Sequence, residues 1–397
     1  MDTVDLERRN ILRGALMMTI VGTATTLDTV TTLGTAAHAA NDSRFARFAY
    51  TGCRTTKERG ARGKGINVYG VDPATGAWTH VQLVENLVNP SFLAFDREKR
   101  FLYAVHGDFS EISSFRIDRE KGGLSLINQQ STGGTNPVHL VADPTNRFMI
   151  VANYATASLA VLPLRQDGGL EPLVQLLQLP GNGGPNKVEQ TGPHPHQVVY
   201  DPSGSFLVVP DKGVDRVFTL EFDPVKPLLR LTDPGFAATR AGAGPRHASH
   251  HPSLPFVYVN YELDSSLSVN HFDRATGVIT PIQIVPSTPD SFVGANTSAE
   301  VEVHPTGRFV YVSNRGSDLI GAFSIDATSG RVTPAGWTSS AGRGPRFMAI
   351  DPSGTLLHAA NELTDTIVTF KIDPGTGALS PADRVIETGS PTCIAFA

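Results

Sequence analysis

Cysteine is scarce in this chain: Cys53 and Cys393 are the only two, so one disulfide is the most it can form within itself. There is no Lys/Arg-rich block, and the formal charge is -5. That excludes the basic face that nucleic acid or an anionic membrane would require. Walker and dinucleotide glycine spacings are missing, and so are the nucleotide-binding loops they build. A G-x-S-x-G elbow is also missing, which argues against serine hydrolase chemistry. His194-Pro195-His196 comes with no further ligand set in the sequence, so neither a metal nor another cofactor is expected. What remains is ordinary globular composition, with 40% hydrophobic and 18% charged residues, enough to bury a sizeable core. The 38 Gly and 28 Pro are scattered along the chain, which suits many short strands joined by tight turns.

The first 39 residues stand apart. Arg8-Arg9-Asn10-Ile11-Leu12-Arg13 is similar to a twin-arginine export motif, with Ile11 and Arg13 where Phe and Lys are more usual. A weakly apolar stretch from Gly14 to Ala24 follows, too short and too rich in Thr for a membrane span. Ala37-His38-Ala39 then offers an A-x-A cleavage site. Residues 1–39 are therefore expected to be a cleaved export signal and residues 40–397 a single domain. The expected location is periplasmic, or cytoplasmic if the segment is not a signal.

Within that domain one unit recurs at the spacing of about 40 to 50 residues that marks a propeller blade. Copies begin at Asn89, Asn136, His194, Gly244, Ser298 and Gly344, each an apolar segment, a polar turn such as Asp201-Pro202-Ser203-Gly204, and a second apolar segment. Such pairs read as hairpins. A third segment follows, as in Ile112 to Asp118 or Leu319 to Asp326, and a fourth completes a four-stranded blade. A seventh copy starts at Ser390 and stops after one strand, and Arg47 to Gly52 supplies the missing partner. The expected fold is all-β: a seven-bladed β-propeller closed by N- and C-terminal strands in one blade. Closure removes exposed strand edges. It also places Cys53 and Cys393 on neighbouring strands, where a disulfide is a possibility that export would permit.

The first strand of each blade lines the central channel, so its start and the end of the second strand share one mouth. The repeat places His196, Arg246, Glu300 and Arg346 at the first position and Asp211 at the second, with Glu262, Arg315 and Glu362 directly after the second strand. Confined charges lose hydration, and mutually perturbed groups gather at active sites, although pairs such as Arg246–Glu262 also serve as inter-blade ion pairs. His194, His247, His250 and His251 are left outside the site.

Gly65-Ile66, Val68-Tyr69, His194-Pro195-His196, Gly244-Pro245-Arg246-His247, Ser298-Ala299-Glu300, Ser313-Asn314-Arg315-Gly316 and Gly344-Pro345-Arg346 resemble the lactonase propeller family. The resemblance runs from about Phe48 to Ala397. That family holds 6-phosphogluconolactonases and 3-carboxy-cis,cis-muconate lactonizing enzymes. The resemblance implies His196, Arg246, Glu262 and Arg315 as the catalytic set, and the repeat adds Asp211, Glu300, Arg346 and Glu362 for substrate binding. It implies hydrolysis of a sugar lactone, with Glu262 or His196 as general base and Arg246 and Arg315 on the oxyanion. A carboxymuconate cycloisomerase and a non-catalytic binding propeller are the alternatives. The expected partner is a small-molecule lactone, and the oligomeric state is left open.

Overall fold

The computed structural model describes residues 45–397, so the segment read as an export signal lies outside the described residues. Seven four-stranded antiparallel sheets follow one another. The closing blade pairs β28 (Pro391–Phe396) with β1 (Phe48–Cys53), followed by β2 (Gly65–Val71) and β3 (Trp78–Glu85). Its register joins the chain ends from Ala49↔Phe396 to Cys53↔Pro391. The innermost strands follow one another round the ring: β4 (Pro90–Phe95) touches β8 (Pro137–Ala142), β8 touches the short β12 (Val199–Tyr200), and in the next blades β16 (Pro245–His250) touches β20 (Thr297–Val303), β20 touches β24 (Pro345–Ile350), and β24 touches β28, which meets β4.

The pattern of burial explains why the sequence folds this way. Second strands such as Phe101–His106 and Phe256–Tyr261 are buried throughout, because each is covered by a blade on either side. A continuous apolar run satisfies both faces at once. Fourth strands such as Leu379–Glu387 sit at the rim and alternate between half-buried and exposed residues. The core is correspondingly divided into seven apolar clusters, one in each gap between blades. Each blade thus depends on both neighbours. A recurring tie links them: Tyr258 Oη donates to Gly330 O at 2.9 Å across one such gap. Gly330 has φ 68°, and a Cβ there would lie 2.5 Å from the Phe256 ring.

One first strand is shorter than the repeat implies. Only Val199–Tyr200 pairs regularly in the fourth blade, with an isolated bridge Pro195↔Asp211. Pro195 has no N–H to give to a ladder, and the His194 N–H goes to the Asp211 side chain at 2.7 Å.

Both cysteines are free, so the disulfide possibility does not hold. Cys393 pairs in register with Gly52 rather than Cys53. The thiols serve different neighbours, Cys53 donating to Gly65 O at 3.0 Å and Cys393 facing Leu93 O at 3.9 Å. Burial pushes the Cys53 thiol up to about 11 and that of Cys393 further still, so little thiolate exists at neutral pH. Alkylation should therefore modify neither cysteine in the native protein and both after denaturation, read by mass spectrometry without reductant. Modification of fewer than two in denaturant would restore the disulfide.

Candidate active site

The geometry of the mouth follows from a repeated backbone irregularity. Six first strands slip register just after they begin: between Pro90 and Phe92, Pro137 and His139, Pro245 and His247, Ser298 and Val301, Pro345 and Phe347, and Pro391 and Cys393. A bulge inserts a residue without a partner and re-aims its side chain. Arg246 and Arg346 occupy two of these extra positions, and Ala299-Glu300 fills a third. Second strands end at the same level, which brings Lys212, Glu262, Arg315 and Glu362 alongside.

Two cavities result. The outer, of about 330 Å³, is lined by His196, Lys212, Glu262, Arg315, Arg346 and Glu362 together with Arg54, Tyr154 and others. The inner, of about 20 Å³, lies against His196, Arg246, His247 and Phe92. Of the eight residues expected at the site, six are therefore cavity walls. Glu300 is buried and reached only through a neighbour. Asp211 belongs to neither wall: Oδ1 accepts backbone N–H groups from His194, Gly213 and Val214, and the residue is fully buried. Burial raises its carboxyl to about 7.

Glu262 is the hub. Its Oε2 lies 3.0 Å from Arg246 Nε, and its Oε1 lies 3.1 Å from Lys212 Nζ and 3.3 Å from an Arg315 nitrogen. Each cation has a further hold: Arg246 on Ala299 O, Lys212 on Glu189 at 2.6 Å, and Arg315 on Ser298 O at 3.1 Å. Burial alone would raise the Glu262 carboxyl. Arg315, Lys212 and Arg246 outweigh it and hold the group well below the usual range. A carboxylate so clamped is a poor base. Across the mouth Glu362 lies 3.5 Å from Arg54 and 3.8 Å from Arg346, while Arg54 also meets Asp108 at 3.0 Å.

His196 is different in kind. Its Nδ1 lies 3.2 Å from His247 Nε2, and His247 Nδ1 lies 2.9 Å from both oxygens of Glu300. The hydrogen bond of the His196 ring is made through Nδ1, and the ring walls both cavities. Burial first, then the charges of Arg246 and Arg346, lower His196 well below 6.5, so a neutral imidazole faces the cavity. His247 is likewise lowered by burial and by Arg246. Its contact with Glu300 is thus a hydrogen bond to a neutral ring rather than an ion pair.

His247 and Lys212 are the contributors that sequence reasoning passed over. Lys212 occupies the position equivalent to Glu262 and Glu362, so the repeat did carry its signal. His251, left outside the site, lies on the turn side of its blade: its Nδ1 accepts the Ser253 and Leu254 N–H groups and caps a hairpin. Among the described residues no group of three or more His, Cys, Asp or Glu is arranged to hold a metal ion, and no helix is long and apolar enough to cross a membrane.

A closed seven-bladed propeller with acid–base and cationic groups converging at one mouth defines a class of small-molecule propeller enzymes. Residues 48–396 match the family described as Lactonase, 7-bladed beta-propeller, and the chain belongs to that family. It is 31% identical over 291 residues to the 6-phosphogluconolactonase of Bacillus subtilis, covering 72% of this chain and 81% of the relative. The 6-phosphogluconolactonase of Pectobacterium atrosepticum is 32% identical over 280 residues, covering 70% and 79%. Among solved structures, the periplasmic gluconolactonase of Pseudomonas aeruginosa superposes with a TM-score of 0.81 at 30% identity, covering 88% of this chain and 98% of its own.

Proposed function

We propose that the protein is a lactonase that hydrolyses a sugar lactone to its aldonic acid at the mouth of the propeller. The observation that carries this reading is the neutral His196 imidazole beside a fixed bank of cations in a cavity of sugar size. His196 Nε2 takes a proton from water, which attacks the lactone carbonyl. Arg246 and Arg315 stabilise the oxyanion of the tetrahedral intermediate, and Glu262 holds both in place for it. The reading favours His196 over Glu262 as the base, because the three cations around that carboxylate lower its affinity for a proton. Arg346 and Glu362 contact the sugar, donating and accepting hydrogen bonds from its hydroxyls. Asp211 acts on the wall behind His194 and not on substrate.

The substrate that fits best is an unphosphorylated gluconolactone met in the periplasm. Two observations support it: the export-like segment of residues 1–39 and the similarity to a periplasmic gluconolactonase. Five cationic side chains against three acidic ones also line the cavity, which would accept a phosphate ester. The test compares hydrolysis of glucono-1,5-lactone with that of its 6-phosphate by the purified protein, followed by acid release. Faster turnover of the free sugar lactone is the expected result. Preference for the phosphate overturns the periplasmic substrate, and inactivity on both overturns the lactonase reading.

A further inference from the structure

The lactonase reading leaves unused a buried chain directly behind the base. His196 Nδ1 meets His247 Nε2 at 3.2 Å, and His247 Nδ1 meets Glu300 at 2.9 Å. First strands supply His247 and Glu300, the segment leading into a third supplies His196, and the bulge after Pro245 sets His247 against the inner cavity. Aromatic rings close round them: His139 packs tilted against Phe92 at 4.2 Å and edge-on against His247 at 5.9 Å, while Phe92 meets Phe347 at 5.6 Å. Burial of such a chain makes its donor and acceptor roles interdependent.

With Glu300 ionised, His247 Nδ1–H must donate to it. His247 Nε2 then accepts, His196 Nδ1–H donates, and a lone pair is left on His196 Nε2 facing the cavity. With Glu300 protonated every role reverses, and His196 Nε2–H faces the cavity as an acid. The two forms differ by one proton.

We propose that His247 and Glu300 form a proton relay with His196, so that the proton taken from water in lactone opening comes to rest on Glu300. This rests on the lactonase reading above and deepens it. In the forward step a water O–H bond breaks and its proton binds His196 Nε2. The Nδ1 proton of His196 passes to His247 Nε2, and that of His247 Nδ1 passes to Glu300. Hydroxide bonds to the carbonyl carbon. When the ring C–O bond breaks, the proton returns along the same path to the ring oxygen, which leaves as a hydroxyl group. The acid and the resting relay are restored with nothing left over.

The relay spares His196 from becoming a cation beside Arg246 and Arg346. Its far end suits a proton: burial raises the Glu300 carboxyl well above 4.5, with Arg246 opposing and the nearby Glu302 adding to it. The groups facing the relay are Arg246, Arg346, Lys212, Arg315, His139, Glu302 and the Cys393 thiol, which feels the Glu300 charge. The three relay members titrate as one unit.

The test is Glu300→Gln, which keeps an acceptor for His247 but cannot store the proton. The expected result is a fall in kcat of about 10²-fold with little change in KM. The acid limb of the rate profile should move to lower pH, because only imidazoles lowered by burial and Arg246 remain to hold the proton. On the wild-type protein, kcat in mixtures of H2O and D2O should fall along a bowed line, since several protons move together. An unchanged kcat and acid limb in Glu300→Gln, or a straight line in the wild type, overturns the relay. The wild-type measurement decides the matter if the variant fails to fold. His196→Asn separates the two ideas: loss of activity there with an unaffected Glu300→Gln removes the relay alone, whereas an active His196→Asn removes the base itself.

Discussion

Glu262→Gln is expected to cost about 3–5 kcal/mol of folding stability at neutral pH, because it leaves buried cations without their counter-charge. Arg246 and Lys212 are both almost wholly buried, and Glu262 is the carboxylate they share with Arg315. Lys212 retains Glu189 in direct contact, whereas Arg246 keeps Ala299 O as a hydrogen-bond partner and only the charge of Glu300, with which it forms no ion pair. Burial and Arg315 already lower Arg246 to about 9, so the loss falls hardest there. Urea unfolding should show a lower midpoint at an unchanged slope. The pH dependence has a definite sign. The folded carboxyl of Glu262 lies below its unfolded value of 4.5, so its contribution is complete above that value and is lost as pH falls toward the folded one. The gap between wild type and variant should therefore narrow steadily below about pH 4.5. A gap that persists unchanged in acid would mean that the amide disturbs packing rather than charge. Activity should also fall, since Arg246 and Arg315 lose the anchor that aims them.

The seven blades and their closure were legible because a blade's second strand is buried on both faces and announces itself as an apolar run after a turn. Pairing the strand at Phe48 with the one at Pro391 followed from counting strands. The site was legible only in outline. Repeat arithmetic found the level of the mouth, and six residues placed there do line the cavity. It could not foresee bulges, which alter the alternation of side chains. By simple alternation Arg246 and His247 face opposite ways, yet the slip after Pro245 brings both to the inner cavity. Asp211 failed for the opposite reason. It stands at the correct level, but Pro195 removes a backbone donor from the neighbouring strand, and the carboxylate turns to the surrounding N–H groups. The cysteines repeat the lesson, since a shift of one residue at Gly52 decides what each thiol faces.

His196→Asn should lower kcat by about 10²–10⁴, the range expected when a positioned base is removed. The amide can still donate to His247 Nε2, so the rings behind it need not move and the variant should unfold near the wild-type temperature. KM should change little, because the cations and carboxylates that hold the sugar are untouched. The residual rate is informative. Arg246 and Arg315 remain fixed by Glu262, and oxyanion stabilisation persists without a base. Turnover should therefore stay above that of buffer, and rise with hydroxide concentration as solvent takes over the proton transfer. A variant that loses binding and turnover together would show His196 holding substrate rather than activating water. Full activity would pass the base to Glu262, and then the three cations around that carboxylate would have to let go before each turnover.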